Sequence, residues 1–229
     1  MLRDLKQPNR RERSIVDALQ PRSAAMDMHE LSRFADPTGR CSNPRMINAV
    51  AAYCGVTLAS DAEIVEGQAL AQERIGGEVV SAAMLKAVQD ITGSSVFVVR
   101  EGGKVTGLTA FFLLRAAGMK AFDDGVFDTV KVNLDFVWRP RETPAGGYAW
   151  GFVASNDRAA GRVVKASLLI REALLWALPG YTRAATDDGA RLIFGSLGFE
   201  PVPDQPTLAR YFPRARAFEG LLDAGKAAA

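Results

Sequence analysis

The segment that most constrains the fold is residues 148–163, YAWGFVASNDRAAGRV. Tyr148 to Ala154 is an apolar run of strand length, residues 155–157 are turn formers, and an amphipathic helix is predicted from Arg158 to Leu178. A buried strand that leads directly into a helix brings free backbone N–H groups and the positive end of the helix dipole to one point. Such a point suits a phosphate group.

The predicted first turn of this helix contains small and basic residues. Small side chains would let a ligand approach the backbone, and arginines could pair with a pyrophosphate or a 3′-phosphate. The small residues are Ala159, Ala160 and Gly161, and the basic ones are Arg158 and Arg162. Asp157 would oppose an anion here. Ordinary packing of a helix on a sheet explains the same pattern, so these residues alone leave both interpretations open.

Three helices are predicted before this segment. Apolar residues recur at helical spacing over 42–53, and Gly55 supplies a stop. Ser60 and Glu63 form a capping box at the start of a second helix that runs to about residue 74. A third helix is predicted over residues 78–92.

A hairpin and a long irregular segment follow. Residues 95–99 and 105–114 are rich in strand-forming residues, and the glycines within 101–104 provide the positive φ angles of a hairpin turn. Residues 115–147 contain many turn signals, with one further strand predicted over 129–137. A long excursion of this kind often shapes a binding surface.

Beyond the central helix, the pattern alternates again between strand and helix. Residues 181–185 are predicted as a strand, Thr186 as a helix cap, Gly198 as the helix end and residues 199–202 as a last strand. The whole order predicts an α/β fold with a mixed sheet.

Residues 185–202, ATDDGARLIFGSLGFEPV, resemble the end of the GNAT superfamily of acyl-CoA-dependent N-acyltransferases. In that family the last helix typically carries an aromatic residue, here Phe194, followed after three residues by Gly-Phe, here Gly198-Phe199. Val153 precedes the arginine of an arginine-x-x-glycine loop at the family's spacing. The resemblance covers about residues 56–202.

The resemblance implies a fold class and a domain division. The fold would be α/β, with a GNAT-like mixed, largely antiparallel sheet flanked by helices. Residues 1–55 would form a helical or partly disordered N-terminal extension, and residues 56–229 would form the acyltransferase domain.

The resemblance also implies a co-substrate and its site. The chain would move an acetyl or other acyl group from coenzyme A to an amine, either a small molecule or a protein. The family's acceptors enter opposite the coenzyme, so the excursion over residues 115–147 would form the acceptor side of the cleft. Phe152, Val153 and Ala154 would line the pantetheine, and the backbone amides of residues 158–163 would hold the pyrophosphate. Val163 stands where the family usually has glycine or alanine, and Phe194 where many members have a tyrosine that protonates the leaving thiolate.

Two other interpretations stay open. An inactive acyl-CoA-binding sensor or assembly module with the same fold would explain Val163 and Phe194. A structural or interaction protein of unrelated α/β fold would require an accidental match at residues 185–202. Candidate acids and bases are weakly indicated, because each is more often a turn or surface residue: Asp123, Asp135, Glu142 and Tyr148.

The composition of the chain argues against several other classes of function. A formal charge of +2 predicts no global attraction to nucleic acid or to an anionic membrane. Two cysteines and the single His29 are too few for a metal site, and they favour a reducing cytoplasm. We expect neither a secretory signal nor a membrane span. The oligomeric state is undetermined, with a homodimer among the alternatives.

Overall fold

The computed structural model of the chain describes residues 33–203 and 205–213. The strands are β1 (Thr57–Leu58), β2 (Val96–Glu101), β3 (Lys104–Leu114), β4 (Gly146–Ala154), β5 (Gly180–Arg183), β6 (Glu200–Val202) and β7 (Gln205–Tyr211). The α-helices are α1 (Pro44–Tyr53), α2 (Asp61–Ile75), α3 (Ala82–Thr92), α4 (Ala116–Asp123), α5 (Asp157–Leu174) and α6 (Asp187–Ala190). A 3₁₀ helix spans Leu134–Phe136, and α6 continues as a π-helix over Arg191–Ser196.

The described strands form one sheet in the order β1-β2-β3-β4-β5-β7-β6. Its neighbours pair antiparallel except for β4 and β5, which are parallel. The predicted α/β fold with a mixed, largely antiparallel sheet flanked by helices is therefore confirmed.

The helix starts follow local side-chain chemistry. The predicted capping box forms: Ser60 Oγ accepts from the Glu63 N–H, and Glu63 Oε2 accepts from the Ser60 N–H at 2.7 Å. The third helix begins later than predicted, because Ser81 Oγ caps it by accepting from the Met84 N–H. Val79 therefore lies before the helix rather than in it.

The hairpin is confirmed. Gly102 and Gly103 have φ angles of 59° and 78°, and the strands close at the Glu101–Lys104 pair. Positive φ at both central residues matches the right-handed twist of paired strands, so this two-residue turn depends on glycine.

The excursion over 115–147 contains a helix that the sequence analysis missed, α4, and lacks the strand predicted for residues 129–137. Only an isolated bridge joins Val137 to Leu114. The strand fails because Asp128 Oδ1 accepts from the N–H groups of Val130 and Lys131, each at 2.8 Å. These two bonds lower the pKa of the Asp128 carboxyl and fold the chain into a turn.

The C-terminal part also differs from the prediction in detail. Helix α5 ends at Leu174, four residues before the predicted Leu178. Thr186 caps α6 as expected, with its Oγ1 accepting from the Gly189 N–H at 3.0 Å. Strand β7 was missed; it inserts between β5 and β6.

Helices cover both faces of the sheet. Helices α1 and α5 pack on one face, where Ile47 and Val50 share a core cluster with Leu169. Helices α2 and α3 pack on the other face, where Ile64 and Leu85 share a second cluster.

Part of the predicted N-terminal extension, including His29, falls within residues 1–32 and so lies outside the described residues. None of the helices in the described part of the chain is long and apolar enough to cross a membrane.

Candidate functional site

Strands β4 and β5 separate partway along their length. Their pairing stops at Ala149 and Thr182, and β5 ends at Arg183. Strand β4 continues through residues 150–154, paired to β3. Within the described residues no strand pairs with this part of β4 on the side of β5, so one edge of its backbone remains available to a ligand.

A β-bulge lies in β4 beside this separation. Gly151 pairs with Ala110 and Ala149 pairs with Phe111, so Trp150 is an extra residue in β4. A bulge bends a strand and changes the direction of its side chains. The Trp150 Nε1–H donates to the Thr129 carbonyl at 2.7 Å, which ties the excursion to β4.

A small cavity of about 110 Å³ lies between α5 and the sheet. Its lining is almost entirely apolar and comes from β3, β4, α5 and the segment after α6: Thr109, Phe111, Ala149, Phe152, Ser167, Leu168, Ile170, Arg171, Leu175, Leu197 and Phe199. We call it the α5-side cavity.

A larger cavity of about 340 Å³ lies on the opposite face, beside α2. Apolar residues of α2, α3, β3 and β4 form much of its wall, and the residues of the excursion that line it are Thr129 and Val130. We call it the α2-side cavity. The excursion thus reaches the cleft beside β4, although its role in binding an acceptor stays a prediction.

Phe152 lines both cavities. It lies in the part of β4 beyond the β5 pairing, so both cavities border the separation of the strands. Val153 is buried and lines the α2-side cavity, whereas Ala154 is half-buried and packs on the cluster that contains α5. The sequence therefore placed these three residues correctly on one strand, but they face different sides of the sheet.

The predicted phosphate loop is helical from Asp157 onward. Asn156 Oδ1 accepts from the Ala159 N–H at 2.9 Å, and the Asn156 carbonyl accepts from the Ala160 N–H at 3.0 Å. The amides of residues 161–163 lie inside α5 and bond to carbonyls four residues earlier, so five of the six amides expected to bind pyrophosphate are already bonded within the protein. The sequence signal for this cap was Asn156 itself, a preferred N-cap residue.

The side chains of Ala159 and Val163 are fully buried against the sheet. They pack on Gly107 so closely that a Cβ atom there would lie 3.2 Å from Ala159 Cβ and 3.1 Å from Val163 Cγ2. These two residues therefore serve the packing of α5 on β3 through their side chains.

The remaining residues of the first turn are less buried than Ala159 and Val163. Gly161 is exposed with no heavy atom near the position of an added Cβ, and Ala160 is half-buried. The Arg162 side chain lies against Gly55. Arg158 is exposed, and its Nε lies 3.6 Å from Glu101 Oε1.

Glu101 is a site residue that the sequence analysis missed. Its Oε2 accepts from Asn156 Nδ2 at 3.1 Å, so a carboxylate sits beside the start of α5. Strand pairing brings it there from 55 residues away in the chain, and no local pattern signals it. An anionic ligand at this point must compete with Glu101 for Arg158.

The other candidate acids and bases have structural partners. Glu142 accepts from Arg115 Nη2 at 2.6 Å and from Arg115 Nε at 3.0 Å, which lowers the pKa of its carboxyl. Asp123 accepts from the Tyr181 hydroxyl at 2.7 Å. Burial raises the pKa of Tyr148 to about 12, so its phenol stays protonated in the α2-side cavity.

Asp135 is the second residue of the 3₁₀ helix, where its N–H donates to Asn133 Oδ1 at 3.0 Å. Phe194 lies half-buried in the π-helix and is not part of the lining described for either cavity. These contacts do not place Asp135 or Phe194 at the point where β4 and β5 separate.

We expect the Asn156→Ala substitution to lower the free energy of unfolding by about 1 kcal/mol, since it removes the cap of α5. Urea denaturation measures the loss. Asn156→Ser, which keeps a capping oxygen, should recover most of it. Equal losses in the two variants would show that the Asn156 contact with Glu101, rather than the cap, provides the stability.

Comparisons with known proteins add little to this geometry. No family model matches the chain, and no curated protein is significantly similar to it. Among solved structures, one from Staphylococcus aureus MU50, named "putative acetyltransferase", is 17% identical, covering 68% of this chain and 95% of that chain with a TM-score of 0.41.

Proposed function

We propose that this protein transfers an acyl group from a coenzyme A thioester to an amine. The observation that carries the proposal is the separation of β4 and β5 at Ala149, with a cavity on each face of the sheet and Phe152 lining both. A transfer between two substrates needs two sites that meet at the reacting atoms, and holding both reactants there removes much of the entropic barrier.

The donor lies on the α5 side in this proposal. Its pantetheine runs along residues 152–154 of β4, where the free edge of the strand offers backbone N–H groups to the thioester carbonyl. Such donors stabilise the negative charge that develops on the carbonyl oxygen. The acyl group enters the α5-side cavity, whose apolar lining suits a hydrocarbon chain.

The pyrophosphate lies at the start of α5. The helix dipole and the side chains of Arg158 and Arg162 attract it, and the exposed Gly161 leaves room on the outer face. Ala159, Ala160 and Val163 complete this turn, with Ala159 and Val163 holding it against the sheet. Glu101 releases Arg158 when the anion binds.

The acceptor amine lies in the α2-side cavity and attacks the thioester carbonyl carbon in its neutral form. A new C–N bond forms, the C–S bond breaks, and the sulfur leaves as a thiolate. The amine loses one proton and the thiolate gains one, so the protons balance. Water can carry either proton. The Phe194 ring cannot donate that proton.

The proposal is tested by calorimetry with acetyl-CoA and by thiol release in the presence of amines. The double variant Arg158→Glu with Gly161→Glu should lose coenzyme binding, since it places two carboxylates at the pyrophosphate position. Arg74→Glu, at the exposed end of α2 on the opposite face of the sheet from α5, makes a comparable charge reversal and should bind normally. Absence of binding to the unmodified protein, or equal binding by the double variant, would refute the site.

An inactive acyl-CoA sensor is the second candidate, favoured by Phe194 and by the Glu101–Arg158 pair at the coenzyme position. A sensor would bind acetyl-CoA in the calorimeter but release no thiol with any amine. Thiol release that depends on an added amine would exclude it.

A further inference from the structure

The α2-side cavity has a mostly apolar wall and few charged groups. Its volume of about 340 Å³ is near the lower end of the range of about 300–1,000 Å³ for small-molecule sites. The wall includes the aromatic residues Tyr148 and Trp150 and the aliphatic residues Ile75, Val80 and Leu85. Such a cavity fits a compact molecule with an apolar body.

Arg183 brings a positive charge to this wall, at the end of β5 where the strands separate. It is half-buried, and its Nη1 donates to Thr207 Oγ1 at 3.1 Å. Among the described residues no carboxylate lies within salt-bridge distance of it, whereas Arg115 and Arg171 each have one. The Thr207 bond orients the guanidinium and leaves most of its five N–H donors for a ligand.

The guanidinium group of Arg183 limits which ligands can bind in the α2-side cavity. Its planar set of donors matches a carboxylate in a bidentate pair, which is stronger than a neutral hydrogen bond. The only carboxylate among the described lining residues is Glu78, which is exposed. The cavity therefore offers a site for an anionic group at Arg183 and an apolar site between α2 and β4.

We infer that the acceptor is a free amino acid with an apolar side chain, whose α-carboxylate binds Arg183 and whose α-amine receives the acyl group. This inference rests on the proposed function. The carboxylate would anchor the substrate beside the end of β5, the apolar side chain would lie against Trp150, and the amine would face the separation of β4 and β5 near Phe152.

The test compares amines that differ only in the carboxylate. L-phenylalanine is compared with phenethylamine, and L-leucine with 3-methylbutylamine, by thiol release from acetyl-CoA. Calorimetry with L-phenylalanine and L-leucine alone measures binding without turnover. The Arg183→Gln variant removes the charge, Arg183→Lys keeps it without the bidentate geometry, and Lys131→Gln removes an exposed charge that is close in sequence to Val130 but outside the described lining.

We expect the amino acids to be better substrates than the amines. Arg183→Gln should raise the KM for L-phenylalanine by about 10- to 100-fold, the range for a lost hydrogen-bonded charge pair, with little change in kcat. Arg183→Lys should recover part of the loss. Phenethylamine should respond to neither variant, and Lys131→Gln should leave both substrates unchanged.

Several results would overturn the inference. Phenethylamine used as well as L-phenylalanine, an equal effect of Arg183→Gln on both, or turnover of a lysine peptide while no amino acid binds would each do so and leave acyl transfer standing. Binding of amino acids that is lost in Arg183→Gln, without thiol release, would instead support Arg183 and contradict the proposed transfer.

Discussion

The Trp138→Ala substitution should lower the free energy of unfolding by about 3–5 kcal/mol, the cost of removing a large aromatic side chain from a core. Trp138 has 0% of its surface exposed and belongs to the cluster beneath α1 and α5. Its Nε1–H donates to the Glu142 carbonyl at 2.7 Å, and its backbone N–H donates to the Leu113 carbonyl at 2.9 Å. It therefore joins the end of the excursion to the sheet.

Urea denaturation of the purified variants measures this effect. Trp138→Phe is the matched control, because it keeps an aromatic ring but removes the indole N–H and should lose less. A loss below about 1 kcal/mol in Trp138→Ala would place the side chain outside the cooperative core. The alanine variant should also bind amine acceptors less well, since Thr129 and Val130 of the same excursion line the α2-side cavity.

The sequence predicted elements whose signals lie within a few residues. Ser60 with Glu63 and Gly102 with Gly103 act on their own backbone, so the second helix and the hairpin were expected correctly. The strand expected for residues 129–137 was wrong because the bonds from Asp128 to two backbone amides outweighed strand propensity.

The sequence also predicted those parts of the candidate site whose signals lie within a few residues of each other. Residues 148–163 were correctly taken as strand, turn and helix, which put Phe152 on the strand that separates from β5. The contributions of Glu101 and Arg183 come from strand pairing over long distances in the chain. Which residues of α5 face the sheet depends on where the helix begins. Because Asn156 caps it, α5 begins at Asp157, and Ala159 and Val163 are buried against the sheet.

The Ser167→Phe substitution should weaken binding of hexanoyl-CoA by about 100-fold relative to the Ser167→Ala control, while acetyl-CoA binding changes far less. Ser167 lines the α5-side cavity, where its hydroxyl donates to the Val163 carbonyl at 2.9 Å. A phenyl ring there takes the space proposed for the acyl chain. Each buried methylene contributes about 0.8 kcal/mol, so excluding four methylenes costs about 3 kcal/mol, or roughly 100-fold.

The alanine variant is the right reference, because both substitutions remove the 3.3 Å contact between Ser167 Oγ and Thr109 Oγ1 and only one adds bulk. Overpacking costs about 1–3 kcal/mol, so thermal denaturation must first show that the phenylalanine variant is folded at the assay temperature. Calorimetry then compares the two donors without needing an acceptor. If hexanoyl-CoA and acetyl-CoA weaken equally, the cavity holds the pantetheine that they share. If neither weakens, the donor binds elsewhere, and the assignment of the α5 side to the donor is wrong.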